Sequence, residues 1–260
     1  MTLALDARRR AMLAEMGLGG LDALPLLVTP PSAAPAEPMV APAAREVAVM
    51  PAPVVKPRGG SAVITSEALT TPVALMEWDA LAQAVAQCRA CRLCTGRHNT
   101  VFGVGDRQAD WLIVGEAPGE QEDLQGEPFV GQAGKLLDNM LRALGLQRQH
   151  KVYIANVLKC RPPGNRNPEP DEVAQCEPFL RRQVELLRPK IILAMGRFAV
   201  QSLLATNEPI GRLRGRVHQY QGVPLVVTYH PAYLLRNLPE KAKAWADLCL
   251  ARERMESQAA

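Results

Sequence analysis

Short apolar runs rich in branched residues alternate, after Trp78, with segments of helical periodicity. The apolar runs predict four strands, at residues 111–114, 152–155, 190–194 and 224–228. The segments between them, with apolar residues every three or four positions, predict helices at 131–144, 170–187 and 197–204. Strands that alternate with helices indicate an α/β fold, a three-layer sandwich in which helices cover both faces of a four-stranded parallel sheet.

The residues before Trp78 have a different composition. None of them is Phe, Trp or Tyr, although ten of the 22 prolines lie in residues 1–77. Residues 6–16 favour a short basic helix, and residues 29–71, rich in Ala, Pro and Val, predict an extended tether. We therefore expect a largely disordered extension over residues 1–77 and one folded domain over residues 78–260.

Composition excludes several classes of protein. With 260 residues, 48% of them hydrophobic and 4% aromatic, the chain is not a collagen, a coiled coil or an isolated mini-protein. Its apolar runs are shorter than the roughly 18 residues that a membrane span needs, so we expect a soluble, cytoplasmic protein with no membrane partner. A net charge of +4 permits a polyanionic partner without requiring one.

Polar residues and glycine follow the predicted strands. Gly115 and an acidic turn follow the first strand, Asn156 follows the second, and His230 follows the fourth. In open α/β sheets, ligands bind outside the carboxyl ends of the strands, so these residues are candidates for one pocket. An Asn at a strand exit often only closes a turn, and a lone His is more often structural. Only their convergence would indicate a site.

The cysteines indicate a metal centre. Cys88 and Cys91 form a C-x2-C motif, and Cys160 and Cys176 have fifteen residues between them. Four thiolates arranged in this way can hold a [4Fe-4S] cluster or a zinc ion, and spacing alone does not separate the two. Cys94 extends the motif and is a rival ligand.

Basic residues cluster on the same loops and favour binding to a nucleic-acid backbone, with Arg236 among them. Leu234 and Leu235, close to His230, predict an apolar wedge that inserts into the base stack.

Several ordered motifs resemble one known family. They are GEAPG at 115–119 with Glu122 and Asp123, PFVG at 128–131, Asn156 before KCRPP at 159–163, and HPAYL at 230–234. Over about residues 83–254 the chain resembles the iron–sulfur (family 4) uracil-DNA glycosylases. The resemblance implies a four-stranded parallel sheet and a monofunctional enzyme that hydrolyses the N-glycosidic bond of uracil in DNA. Such an enzyme leaves an abasic site and initiates base excision repair.

The resemblance also implies a [4Fe-4S] cluster with a structural role. Its ligands would be Cys88, Cys91, Cys160 and Cys176. The family usually lacks a cysteine at the position of Cys94, so the choice between Cys91 and Cys94 stays open.

Roles for the pocket residues follow from the same resemblance. Phe129 would stack on the extruded uracil, Asn156 would read its Watson–Crick edge, and Glu122 would reject the methyl group of thymine. His230 would stabilise the anionic leaving group at O2, and Glu116 would position water. The remaining predicted contacts are Gly115 and Ala117 with the substrate and Leu234 and Arg236 with DNA.

Ala117 stands where the best-known uracil glycosylases carry an aspartate. A dedicated general base is therefore not expected at this position, and stabilisation of the leaving group should contribute more of the rate.

Three alternatives accompany this interpretation. The chain could be a non-catalytic DNA-binding iron–sulfur or zinc protein on the same scaffold, or a glycosylase for a wider range of deaminated bases. A branch that forms a covalent product through a histidine in a basic insertion is disfavoured, because residues 129–152 hold no such Arg-rich segment. We also expect a nucleoid-associated monomer whose extension recruits a repair or replication protein.

Overall fold

The structure, a computed structural model, describes residues 72–259. Its strands are β1 (Val104–Gly105), β2 (Trp111–Gly115), β3 (Val152–Asn156), β4 (Ile191–Met195), β5 (Val217–Tyr220) and β6 (Val223–Thr228). Its α-helices are α1 (Trp78–Gln87), α2 (Glu120–Gln125), α3 (Gly131–Ala143), α4 (Pro170–Leu187), α5 (Arg197–Leu204), α6 (Ile210–Leu213), α7 (Pro231–Arg236) and α8 (Lys241–Ala259). The helix expected at 6–16 and the tether expected at 29–71 lie outside the described residues.

The strands form one mixed sheet in the order β1-β3-β2-β4-β6-β5. The four inner strands, β3, β2, β4 and β6, are parallel and correspond to the four predicted strands. β1 pairs antiparallel with β3, and β5 pairs antiparallel with β6. The expectation of a four-stranded, entirely parallel sheet is therefore wrong, because two antiparallel edge strands extend the parallel core.

The hydrophobic pattern of the sequence predicts neither edge strand, and each has a physical reason. β1 has only two residues, too few to show a periodicity. β5 alternates between exposed and half-buried positions, so it has no continuous apolar run. It joins β6 through a tight hairpin in which Gln221 and Gly222 both have positive φ, the geometry of a turn that matches the twist of paired strands.

Helices cover both faces of the sheet. On one face, Leu112 and Val114 of β2 pack with Leu180 and Val184 of α4 and with α5. On the other face, Ile113 of β2 packs with residues of α3, α7 and α8. β2, β3 and β4 are buried at every position, which explains why they are continuous apolar runs. Among residues 72–259, no helix has the length and apolar character that a membrane span requires.

Residues 72–77 form a short strap that precedes α1 and lies against α4. It contains a 3-10 turn at Val73–Leu75. Met76 is 4% exposed and packs with Leu81, Val85 and Phe179. The Arg182 Nε donates a hydrogen bond to the Met76 carbonyl oxygen at 2.7 Å.

Candidate active site

A cavity of about 760 Å³ opens where the four parallel strands end. Of the predicted site residues, those that line it are Glu116, Ala117, Glu122, Phe129, Asn156, His230 and Arg236. They reach it from the loops after β2 and β6, from the last residue of β3, from α2 and α7, and from the connection between α2 and α3. The predicted residues therefore meet at one pocket, as expected of a functional site and not of unrelated loop residues.

Gly115 lies beneath this cavity, at the end of β2. It is the neighbour of Asn156 in the β2–β3 register, and Asn156 is 2% exposed. A Cβ at Gly115 would overlap the Asn156 Oδ1 and would lie 2.5 Å from the Phe129 Cζ. Glycine is thus required here, because any side chain would displace both the amide and the aromatic ring.

Phe129 is a buried aromatic residue with an unusual backbone. Its φ is 54°, in the left-handed region that bulky residues rarely adopt. Its ring stacks on the imidazole of His230, with 5.2 Å between the ring centroids and 25° between the planes. The next peptide N–H, of Val130, donates to Glu122 Oε1 at 3.1 Å. Glu122 therefore contacts the same loop that carries the aromatic ring.

His230 is the N-cap of α7, and its protonation state follows from its contacts. Burial, together with the nearby Arg236 guanidinium, lowers the pKa of His230 to about 4, so the imidazole is neutral at physiological pH. The Ala232 N–H donates to His230 Nδ1 at 3.2 Å. The single ring proton then lies on Nε2, which makes Nε2–H a hydrogen-bond donor.

Glu116 directly follows β2, and burial raises its pKa to about 7 despite the opposing charge of Arg197. Near neutral pH, both the acid and the carboxylate are therefore populated. Ala117, the next residue, lines the cavity and also packs on the cluster formed by Leu93, Leu158, Cys160 and Cys176.

Leu234 does not occupy the position expected of a DNA wedge. It is fully buried and packs in the core with α3 and α8. Its neighbours on α7 are exposed instead, Tyr233 at 37% and Leu235 at 41%. Successive residues on a helix point in directions about 100° apart, so only one of two adjacent leucines can face the core. The DNA contact predicted for Leu234 therefore conflicts with its position.

A second, small cavity brings together the predicted metal ligands. Its lining includes Cys88, Cys91, Cys94, Cys160 and Cys176. Cys160 and Cys176 are buried, and the other three thiols are half-buried. In residues 72–259, no group of three His, Cys, Asp or Glu side chains is placed to hold a single metal ion. Because Cys94 lines the same cavity, it remains a rival ligand.

Arg97 connects two of the three cysteine-bearing segments. Its Nη1 donates to Cys160 Sγ at 3.1 Å, and its Nη2 donates to the Cys88 carbonyl oxygen at 2.8 Å. The residue was not among the predicted site residues. From the sequence it belongs only to the basic residues expected to favour binding to a nucleic-acid backbone.

Two further buried groups support the cavity; both lie within the sequence motifs, but the sequence assigns neither of them a role. Lys159 is 1% exposed, and its Nζ donates to the Asn156 carbonyl oxygen at 2.8 Å and to Gln183 Oε1 at 2.7 Å. Asp123, on α2 beside Glu122, accepts hydrogen bonds from the backbone N–H and the Nδ1 of His98 at 3.0 and 2.8 Å. These contacts fix the end of β3 and the start of α2, the two elements that carry the amide and the carboxylate of the cavity.

Comparisons with known proteins agree with this geometry. The sequence profile of the uracil DNA glycosylase superfamily matches residues 102–249. A type-4 uracil-DNA glycosylase of Archaeoglobus fulgidus is 46% identical over 165 residues, covering 60% of this chain and 82% of that protein. The type-4 enzyme of Saccharolobus solfataricus is 42% identical over 189 residues, covering 69% and 87%. That of Thermotoga maritima is 44% identical over 159 residues, covering 60% and 82%.

Proposed function

Since the chain belongs to the type-4 uracil-DNA glycosylases of the uracil DNA glycosylase superfamily, we propose how its cavity excises uracil from DNA. The enzyme hydrolyses the N-glycosidic bond and leaves an abasic site, the first step of base excision repair. The assignment of residues rests on one observation: Phe129, Asn156, Glu116 and His230 all line the cavity at the ends of the parallel strands.

Recognition begins once the target nucleotide has left the base stack, since the bond that breaks is inaccessible in a duplex. The Phe129 ring offers a face on which the extruded base stacks. The Asn156 amide has one donor and one acceptor group, which match the edge of uracil, whereas cytosine reverses donor and acceptor at its 4-position and N3. A site built on hydrogen bonds rejects the mismatched base strongly, because the buried amide would be left unpaired.

Glu122 supplies discrimination against thymine. It lines the cavity and is held there by the Val130 N–H. A carboxylate fixed in this way leaves no space for a methyl group at the 5-position of the base, and burying that methyl against it would also remove water from a charge.

Bond cleavage leaves an oxocarbenium-like sugar and an anionic uracil. We propose that His230 Nε2–H donates a hydrogen bond to O2 of the departing base, where the negative charge develops. The support for this role is the neutral imidazole, whose Nδ1 already accepts from Ala232. A donor that is in place before the reaction stabilises the developing charge without reorganisation.

Glu116, in its ionised form, orients the water that attacks the sugar. No carboxylate is present at Ala117, so this role has no second candidate at that position. The stabilisation of the leaving group by His230 therefore carries the larger share of the rate.

Binding of DNA follows from the charge and apolar groups around the cavity. Arg166, Arg197 and Arg236 line its rim and can pair with phosphates. We propose that the exposed Leu235, and not Leu234, fills the space left by the extruded base. We further propose that the enzyme acts as a monomer at the nucleoid in the cytoplasm, where its DNA substrate lies.

We further propose a [4Fe-4S] cluster held by Cys88, Cys91, Cys160 and Cys176. The chemistry of the donor set fits: cysteine sulfurs from three segments line one small cavity, and Arg97 donates to one of these sulfurs. When bound, the cluster supplies a covalent crosslink between these segments, with no step of the hydrolysis assigned to it. Cys94 could replace Cys91, since both line the cavity.

The test uses protein purified without oxygen and oligonucleotides that carry one uracil, thymine, cytosine or hypoxanthine at the same position. Alkaline treatment then cleaves the strand at each abasic site. We expect cleavage at uracil alone, and a rate for Phe129→Leu that is at least about tenfold lower. Cleavage at hypoxanthine would indicate a wider range of bases, and an unchanged rate for Phe129→Leu would refute the stacking role.

A further inference from the structure

The left-handed backbone of Phe129 requires support from outside its own loop. The residue is bulky and its φ is 54°, a conformation that persists only where surrounding structure imposes it. The same residue presents its ring to the cavity and to His230. Whatever fixes this backbone also fixes the surface on which uracil stacks.

Arg148 makes the contacts that fix it. Its Nη1 donates to the Pro128 carbonyl oxygen at 2.9 Å, and its Nη2 donates to the Phe129 carbonyl oxygen at 2.8 Å. Its Nε donates to Asp138 Oδ1 at 2.9 Å. The planar guanidinium thus spans two consecutive carbonyl groups while a carboxylate of α3 sets its orientation.

The opposite side of the same peptide is also constrained. The Val130 N–H donates to Glu122, so both polar groups of the peptide that follows Phe129 have partners. Gly134 of α3 lies so close that a Cβ there would overlap the Phe129 carbonyl group. The loop is therefore held between α3, Arg148 and Glu122.

Arg148 lies in the connection between α3 and β3 and is absent from the cavity lining. We propose that Arg148 is a positioning residue for uracil excision, which acts by holding the Phe129 ring in its stacking position. The inference rests on the proposed function of Phe129. It assigns to Asp138 the secondary role of orienting the guanidinium.

The test is a double-mutant cycle on single-turnover excision, with Phe129→Leu, Arg148→Met and the double variant. Arg148→Met should lower the rate at saturating DNA by about tenfold to a hundredfold, since small displacements of a substrate-positioning group have effects of this size. Its KM should stay within about twofold, because the DNA-binding rim is untouched. In the Phe129→Leu background, Arg148→Met should lower the rate less than about twofold further.

Arg142→Met is the matched control. Arg142 lies on α3, close in sequence to Arg148, and donates to Asn139 Oδ1. It is exposed and, within residues 72–259, has no hydrogen bond or ion pair with the Phe129 loop. We expect the wild-type rate for this variant. If Arg148→Met fails to fold, Asp138→Asn enters the same cycle, because it keeps the guanidinium and removes its orienting charge.

The outcomes separate the two proposals. If the effects of Arg148→Met and Phe129→Leu multiply, Arg148 does not act through Phe129 and the inference is wrong, while the stacking role stands. If Arg148→Met has the wild-type rate, the inference is likewise overturned. If Phe129→Leu itself has the wild-type rate, the proposed stacking role fails and the inference falls with it.

Discussion

Uracil excision should depend on pH through the carboxyl group of Glu116. Burial raises the pKa of Glu116 to about 7. Below this pKa the group is a neutral acid that cannot orient water as a carboxylate, so the activity should rise with pH. The ionised fraction is about 0.09 at pH 6 and about 0.91 at pH 8, which predicts a change of about tenfold in kcat/KM.

His230 does not disturb this profile. Its pKa is lowered to about 4, so the imidazole is neutral throughout the range from pH 6 to pH 8. Arg197 does affect it: its positive charge opposes the rise in the pKa of Glu116. Arg197→Met should therefore move the midpoint of the profile to higher pH.

The assay measures kcat/KM on a uracil oligonucleotide over this pH range at constant ionic strength, because salt alters DNA binding. Glu116→Gln should give a flat profile near the low-pH rate of the wild type. A flat wild-type profile would refute the reasoning, as would a midpoint near pH 7 that persists in Glu116→Gln.

Three further outcomes follow from the site. His230→Ala should lower the single-turnover rate by about 10²–10³-fold, the usual effect of losing one charge-stabilising donor, and thus more than Glu116→Gln; a rate near wild type would contradict its role. Asn156→Asp should impair discrimination between uracil and cytosine in competition assays, and unchanged selectivity would count against edge recognition. If the proposed iron–sulfur cluster is present, Arg97→Met should speed the loss of its visible absorbance in air; decay as slow as in the wild type would show that the hydrogen bond to Cys160 does not protect it.

The parallel core of the fold was predictable because it is buried on both sides. β2 and β3 begin at the expected residues, since their apolar runs are continuous. α4 and α5 have the expected bounds because their apolar residues recur at helical spacing. α2 was interpreted as an acidic loop, yet acidic residues in its first turn favour a helix N-terminus.

The cavity was predictable from the rule that polar residues after parallel strands meet at one edge. The rule does not predict which other residues hold these side chains in place. Arg148 and Lys159 donate to backbone carbonyl groups, which every residue carries, so the sequence does not show which carbonyl oxygens they bind. The choice between Leu234 and Leu235 required the rotation of α7 about its axis, and that depends on where the helix begins.

The strap at residues 72–77 determines how short the chain can be made. A chain that began at Trp78 would lose the burial of Met76, worth about 1.5–3 kcal/mol, and would remove the carbonyl oxygen that Arg182 binds. Such a chain should melt at a lower temperature than one that begins at residue 72, and equal melting temperatures would show that the strap adds nothing. We therefore expect the smallest stable catalytic unit to start ahead of α1, with the strap retained.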